Sequence, residues 1–216
     1  MVKIITISRE CGSGGSTIAR MLAQELNMQC VGKELIYEIA RHAGVQIALV
    51  EKYDQDSYNK WNLILDSLCL GGRFSPDYGV QTPTSPPDPE IFFTEEKYRQ
   101  TTQEILLKLA ESPGIIFLGR GSQVVFQNRP EAFHLRLVAP LDLRIRRIAE
   151  FLKLPHKEAA RKVQEMDKSR ERYLRDFYSA NVANSGLYHL TLNTGLFNFE
   201  QACRIIKEAM KPGVSD

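Results

Sequence analysis

The chain of 216 residues has no C-x-x-C pair, no apolar run long enough to cross a bilayer and almost no net charge. Its four cysteines, Cys11, Cys30, Cys69 and Cys203, are scattered and show no Cys/His spacing of the metal-site kind, so they read as reduced thiols in a cytoplasmic protein. The balance of +2 gives no electrostatic case for nucleic acid or an anionic membrane as partner. Val2 to Ile7 is too short for a secretory leader and is followed at once by Arg9 and Glu10. No internal repeat is visible. His42, His134, His156 and His189 form no local pair, and packing or surface contacts account for them. The length suits one α/β domain with a sizeable core.

What is present begins with "ISRECGSGGSTIARML", an apolar run that meets a glycine cluster and then opens an amphipathic helix. That is the setting in which backbone N–H groups and a helix N-terminus receive a phosphate. Glycines let the main chain approach the anion through Gly12, Ser13, Gly14 and Gly15, and Ser16 or Thr17 can offer a hydroxyl to a phosphate or to Mg²⁺. One charge is missing. The pattern G-x-x-x-x-G-K-[ST] puts glycine at Arg9 and lysine at Gly15. Arg9 stands at the start of the loop, where a guanidinium can bind phosphate as a fork or else lie in solvent.

Further along, short strands alternate with helices. Val2 to Ile7, Gln29 to Val31, Ile115 to Leu118, Phe133 to Val138 and Tyr188 to Leu192 read as strands. Helices are expected over Ser16–Leu26, around Leu35–Ala40 up to Gly44, and from Thr94 to before Pro113. Three more are expected over Leu141–Leu152, from Pro155 to about Tyr178, and over Phe199–Met210. A longer helix carrying Val50, Tyr53, Trp61, Ile64, Leu65 and Leu68 is expected after Gly44. Gly71 to Pro89, "GGRFSPDYGVQTPTSPPDP", is too rich in Gly, Pro and Ser for helix or central strand and reads as a long surface loop. Alternating elements imply a parallel sheet sandwiched by helices, with ligands beyond the carboxyl ends of the strands. That places the Gly12–Gly15 turn, the Gly119–Gly121 turn and the Ala139-Pro140 junction on one rim.

Two further groups bear on chemistry. "FLGRGSQVVF" throws Arg120 onto the same rim, either as an ordinary turn arginine or as a clamp for a second anionic substrate. The basic series Arg144, Arg146, Arg147, Arg161, Lys168, Arg170, Arg172 and Arg175 is either a solvated face paired with Glu165, Asp167, Glu171 and Asp176, or a lid closing cations over a transferring phosphoryl group.

Together these residues resemble the cytidylate kinase-like family of P-loop nucleoside monophosphate kinases. "ITISRECGSGGSTIARMLAQEL" is similar to the family's opening strand, loop and helix, and "GKELIYEIARHAG" resembles the segment that normally reads Asp-Lys-Glu-Leu-Ile. "IIFLGRGSQVVFQNRP", "LRLVAPLDLRIRRI", "VQEMDKSRERYLRDFY" and "YHLTLNTGLFNFEQACRII" look like the third strand, the following strand and helix, the lid, and the closing strand and helix. The resemblance implies an α/β fold of the three-layer P-loop NTPase kind, a parallel sheet flanked by helices with a helical lid. It implies one domain over 1–216, with an acceptor-side insertion at about 45–112 and the lid at about 155–180. It further implies ATP with Mg²⁺ and transfer of a phosphoryl group to CMP, dCMP or a related small acceptor, as a cytoplasmic enzyme. Carried over by position, Gly12, Ser13, Gly14, Gly15, Ser16 and Thr17 cradle ATP phosphates; Arg9 as a phosphate contact and Ser16 as a metal ligand rest on the loop's own residues. Arg120 holds the acceptor phosphate, and Lys168, Arg170 and Arg144 act as charge clamps.

Several positions depart from well-studied cytidylate kinases. Gly15 replaces the loop lysine and Arg9 its first glycine, Leu118 and Gly121 stand at two aspartate positions, and Gly32 stands at a third. A lost catalytic charge commonly removes a few kcal/mol of transition-state stabilisation. Three readings therefore stand side by side: a nucleoside monophosphate-type kinase, a nucleotide-binding regulator with a degenerate loop, and an unrelated phosphoester-binding domain.

Overall fold

The computed structural model describes residues 2–54, 93–112 and 114–211. Trp61 to Leu68 and the Gly71–Pro89 stretch lie outside them. Five strands form one sheet: β1 (Ile4–Arg9), β2 (Gln29–Val31), β3 (Ile115–Leu118), β4 (Ala132–Val138) and β5 (Leu190–Asn193). Their order is β2-β3-β1-β4-β5 and every pairing is parallel. With all strands running one way, all their carboxyl ends share a rim, and β1 sits at its centre between β3 and β4.

Side-chain alternation along the strands separates two cores. Ile5, Ile7, Ile116, Leu118, Leu135 and Leu137 face α1 (Gly15–Leu26) and α8 (Phe199–Ala209). Ile4, Ile115, Phe117 and Ala132 face α2 (Leu35–Ala43), α3 (Ile47–Tyr53) and α4 (Glu95–Leu109). Being covered on both faces is why Ile115 to Leu118 is wholly apolar. A third cluster joins α6 (Leu141–Leu152) to α7 (His156–Tyr178) and takes in Cys11 of the loop. Pro140 and Pro155 stand at the N-caps of these two helices, and Pro suits a helix start because it lacks only an N–H that the helix does not need there. Among the described residues no helix is long and apolar enough to cross a membrane.

Some element limits differ from the sequence expectation. β1 continues through Ser8 and Arg9 because β4 pairs with both, Ser8 with Arg136 and Arg9 with Leu137. The helix after Gly44 ends at Tyr53: Asp54 is extended, with ψ 150°, and turns its carboxylate inward. A four-residue helix, α5 (Ser122–Val125), follows the Gly119–Gly121 turn. β5 starts at Leu190 because Ser185–Leu187 forms a 3-10 turn, after which His189 N–H donates to the His134 carbonyl at 2.8 Å.

Candidate active site

The turn from β1 into α1 is built from two residues that need glycine. Gly12 and Gly14 have φ of 79° and 85°. A Cβ on Gly12 would lie 2.6 Å from the Arg144 carbonyl oxygen, and one on Gly14 would run into the Phe199 ring. The turn opens on a cavity of about 280 Å³, lined by Arg9, the residues Gly14 to Thr17, Arg147, Phe151, Met166, Arg170 and Phe199.

The carbonyl side of the loop is tied down almost residue by residue. Arg170 Nη1 donates to the Arg9 carbonyl at 3.3 Å, and Arg144 Nη1 donates to that of Cys11 at 3.2 Å. Arg147 Nη1 donates to that of Gly12 at 3.3 Å, and Thr194 Oγ1 to that of Ser13 at 2.7 Å. Ser13 Oγ donates to the Glu10 carbonyl at 2.8 Å. Within the turn the N–H groups of Glu10 and Ser13 donate to the Leu137 and Glu10 carbonyls and that of Cys11 to Asp167, while the first turn of α1 beside it carries N–H groups with no acceptor within the helix.

The braces are themselves braced. Arg144 donates through Nε to the Ala139 carbonyl at 2.9 Å and pairs with Glu10, 3.3 Å away, and with Asp167. Asp167 Oδ1 also accepts the Cys11 N–H at 2.7 Å, so α7 is fastened to the loop through a carboxylate. Glu10 Oε2 accepts the Ala139 N–H at 3.0 Å, which fastens the loop to the end of β4. Arg147 reaches Thr194 Oγ1 and its carbonyl, each at 3.1 Å, while its guanidinium stands 5.2 Å over the Phe199 ring. Burial pulls the Arg147 pKa below its ordinary value, as expected where a cation gives up water.

The sequence candidates fall into groups. Arg9, Gly12, Gly14, Gly15, Ser16, Thr17 and Arg170 all line the cavity. Ser13 is fully buried beneath it with its hydroxyl turned back to Glu10. Arg144 lies behind the loop as a brace. Lys168 is exposed on the far side of α7, as are Arg172 and Arg175, whereas Arg170 on the same helix faces the loop. Arg120 is only 2% exposed and is held by Asp54: Nη2 donates to Oδ2 at 3.2 Å and Nε lies 3.1 Å from Oδ1. The Tyr98 hydroxyl donates to the same carboxylate at 3.1 Å, and that of Tyr178 donates to the Arg120 carbonyl at 3.2 Å. Tyr178 packs where a side chain on Gly121 would stand.

Sequence reasoning missed Thr194, Phe199 and Asp54, placed Asp167 only as a charge partner on a solvated face, and did not separate Arg147 from its neighbours. Arg144 and Arg147 are three apart, which puts both on one side of a helix, and this was the one usable signal.

A magnesium ion prefers six oxygen ligands and usually keeps several waters, with only one or two from protein. The loop offers it the Ser16 hydroxyl, the end of β3 carries apolar Leu118, and no cluster of three His, Cys, Asp or Glu could hold a metal among the described residues. This fits an ion that arrives on the phosphates of a nucleotide better than a resident one.

The sequence profile of the cytidylate kinase-like family matches residues 4–196. A cytidylate kinase from Methanopyrus kandleri is 26% identical, over 97% of this chain and 93% of that protein. A uronate isomerase from Corynebacterium glutamicum is 27% identical over 70% of this chain, but the chain spans only 27% of that protein's length. The crystal structure of an uncharacterized protein from Eubacterium ventriosum superposes with a TM-score of 0.65 at 18% identity, covering 96% of this chain and 97% of the other.

Proposed function

The chain belongs to the cytidylate kinase-like family, and from that membership and the loop geometry we propose that it is an ATP-dependent phosphotransferase of the nucleoside monophosphate kinase type. One observation carries the reading. Four side chains, Arg144, Arg147, Arg170 and Thr194, hold the carbonyls of Cys11, Gly12, Arg9 and Ser13, and so fix the shape of the glycine turn where it meets the cavity and the N-terminus of α1. Phosphoryl transfer needs alignment and neutralisation of charge more than covalent help from the protein. Arg170 and Arg147 supply positive charge at the cavity, and the helix N-terminus of α1 adds its partial charge. Mg²⁺ bound with the nucleotide would offset charge on the β- and γ-phosphates, with Ser16 as its protein ligand. The apolar side chains Phe199, Met166 and Phe151 form the part of the wall suited to a nucleobase.

The acceptor in this reading is CMP, dCMP or a related small phosphate. The Arg120–Asp54 pair supports a positioning role for the Gly119–Gly121 turn, since a guanidinium already neutralised and buried is costly to redeploy. A coupled assay for ADP release with Mg²⁺-ATP over a panel of nucleoside monophosphates and other small acceptors tests the proposal. Release that depends on one acceptor is expected. ATP binding without acceptor-dependent release from any of them overturns it.

A further inference from the structure

Gly15 is glycine for a reason other than its backbone. Unlike Gly12 and Gly14 it does not lie in the left-handed region, so any residue could adopt its conformation. What excludes a side chain there is Arg9: a Cβ on residue 15 would lie 2.7 Å from Arg9 Cγ and 2.8 Å from Arg9 Cβ. The stem of Arg9 runs through the space in which a side chain at position 15 would begin.

In G-x-x-x-x-G-K-[ST] the first residue is glycine and the seventh is lysine. In this chain the first is Arg9 and the seventh is Gly15. Six residues apart in sequence, the two touch in space, so the exchange leaves one long stem and one cation in one place. Strand alternation explains the direction. Arg9 points to the same face as Ile5 and Ile7, the face that α1 covers, and so passes over the first turn of that helix. It is 7% exposed, lines the cavity, and has its carbonyl fixed by Arg170.

We infer that Arg9 is the phosphate-binding cation of this loop, delivered from the end of β1 instead of from the first turn of α1, with Gly15 kept small to let it pass. The inference rests on the phosphotransferase reading and adds the group that meets the terminal phosphates of a nucleoside triphosphate. A guanidinium presents a planar fork to two phosphate oxygens at once, which a single ammonium cannot do.

Isothermal titration of the full chain with Mg²⁺-ATP and with inorganic tripolyphosphate tests this on four proteins: the parent, Arg9→Gly, Gly15→Lys and the double variant. Arg9→Gly is expected to weaken both ligands by about tenfold or more, the usual cost of a charge-assisted bond. Gly15→Lys alone is also expected to weaken them, and the double variant to return to within about threefold of the parent, because the swap restores one stem and one cation. Undiminished binding by Arg9→Gly, or a double variant no better than Arg9→Gly, overturns the inference while leaving the phosphotransferase reading standing. A parent that binds neither ligand overturns that reading itself. Gly15→Ala gives a second measurement should the lysine variants fail to fold. It lowers the melting temperature when Arg9 is present and raises it in the Arg9→Gly background, where alanine only improves a helix start. The same sign in both backgrounds removes the steric basis of the inference.

Discussion

Replacing Asp167 with alanine removes a carboxylate that ties α7 to the glycine loop. Two bonds go with it, the one from Cys11 N–H at 2.7 Å and the pair with Arg144. Hydrogen bonds to a charged group contribute roughly 1.5–3 kcal/mol each. The Asp167 side chain is 28% exposed and that of Arg144 only 9%, so solvent screens the carboxylate more than the guanidinium. Arg144 also keeps its bonds to the Ala139 and Cys11 carbonyls and its contact with Glu10, and is not stranded as an unpaired buried cation. The loss expected after that discount is about 2–3 kcal/mol. For a chain of this size it corresponds to a fall in melting temperature of roughly 4–12 °C. Differential scanning calorimetry reads the stability, and hydrogen exchange at Cys11 and its neighbours reads the loop, where faster exchange is expected. Arg144→Met should cost less in the Asp167→Ala background than in the parent, because the two share a bond. A melting temperature within about 1 °C of the parent, or strictly additive single changes, would refute the claim that this carboxylate holds the loop in shape.

Asp54→Asn should destabilise the chain more than a surface charge change does, by about 3 kcal/mol or more, since it removes the carboxylate charge that faces the Arg120 guanidinium at 2% exposure; urea unfolding measures it. Gly14→Ala is expected to abolish triphosphate binding and lower the melting temperature, because φ of 85° strains alanine and its methyl meets the Phe199 ring; a variant that titrates like the parent would contradict the cradle geometry. His134 gives a pH dependence. Burial, and then the neighbouring His189, bring its pKa down to about 4, while the unfolded chain protonates it near its ordinary 6.5. Above that ordinary value the ring is neutral in both states and contributes no slope. As pH falls from there to about 4 the unfolded state alone gains the proton, so stability drops across this window and levels below it. His134→Gln should flatten the profile in that window, and an unchanged profile would argue against a neutral buried ring.

The helix limits at Leu141–Leu152 and His156–Tyr178 were legible because proline stands just before each and φ is set locally. The strand at Ile115–Leu118 was legible because a strand covered on both faces must be apolar throughout, a signal that Gln29–Val31, at the sheet edge with Gln29 exposed, does not carry. The glycine loop was legible for the same kind of reason, since Gly12 and Gly14 occupy conformations that other residues resist. Polar continuations were not legible. Nothing local says that Ser8 and Arg9 remain in β1, because only the pairing with Arg136 and Leu137 makes them strand. Nor does anything near Asp54 foretell that it ends a helix to meet an arginine 66 residues away.

Sequence alone determined the parallel α/β arrangement and a glycine turn on its rim, both of which rest on backbone preference and on burial of short apolar runs. Which arginine does what was decided only in three dimensions. Lys168 and Arg170 are two residues apart on one helix, yet one faces solvent and the other the loop, because α7 is rotated by its packing through Val163, Met166 and Tyr173. Arg144 became a brace, Arg120 a buried partner of Asp54, and Arg9 the residue lying over Gly15, each through contacts with elements distant in the chain. A long charged side chain reaches several ångströms in any direction its rotamers allow, so its role is fixed by the acceptor that folding brings within reach and not by its position in the chain.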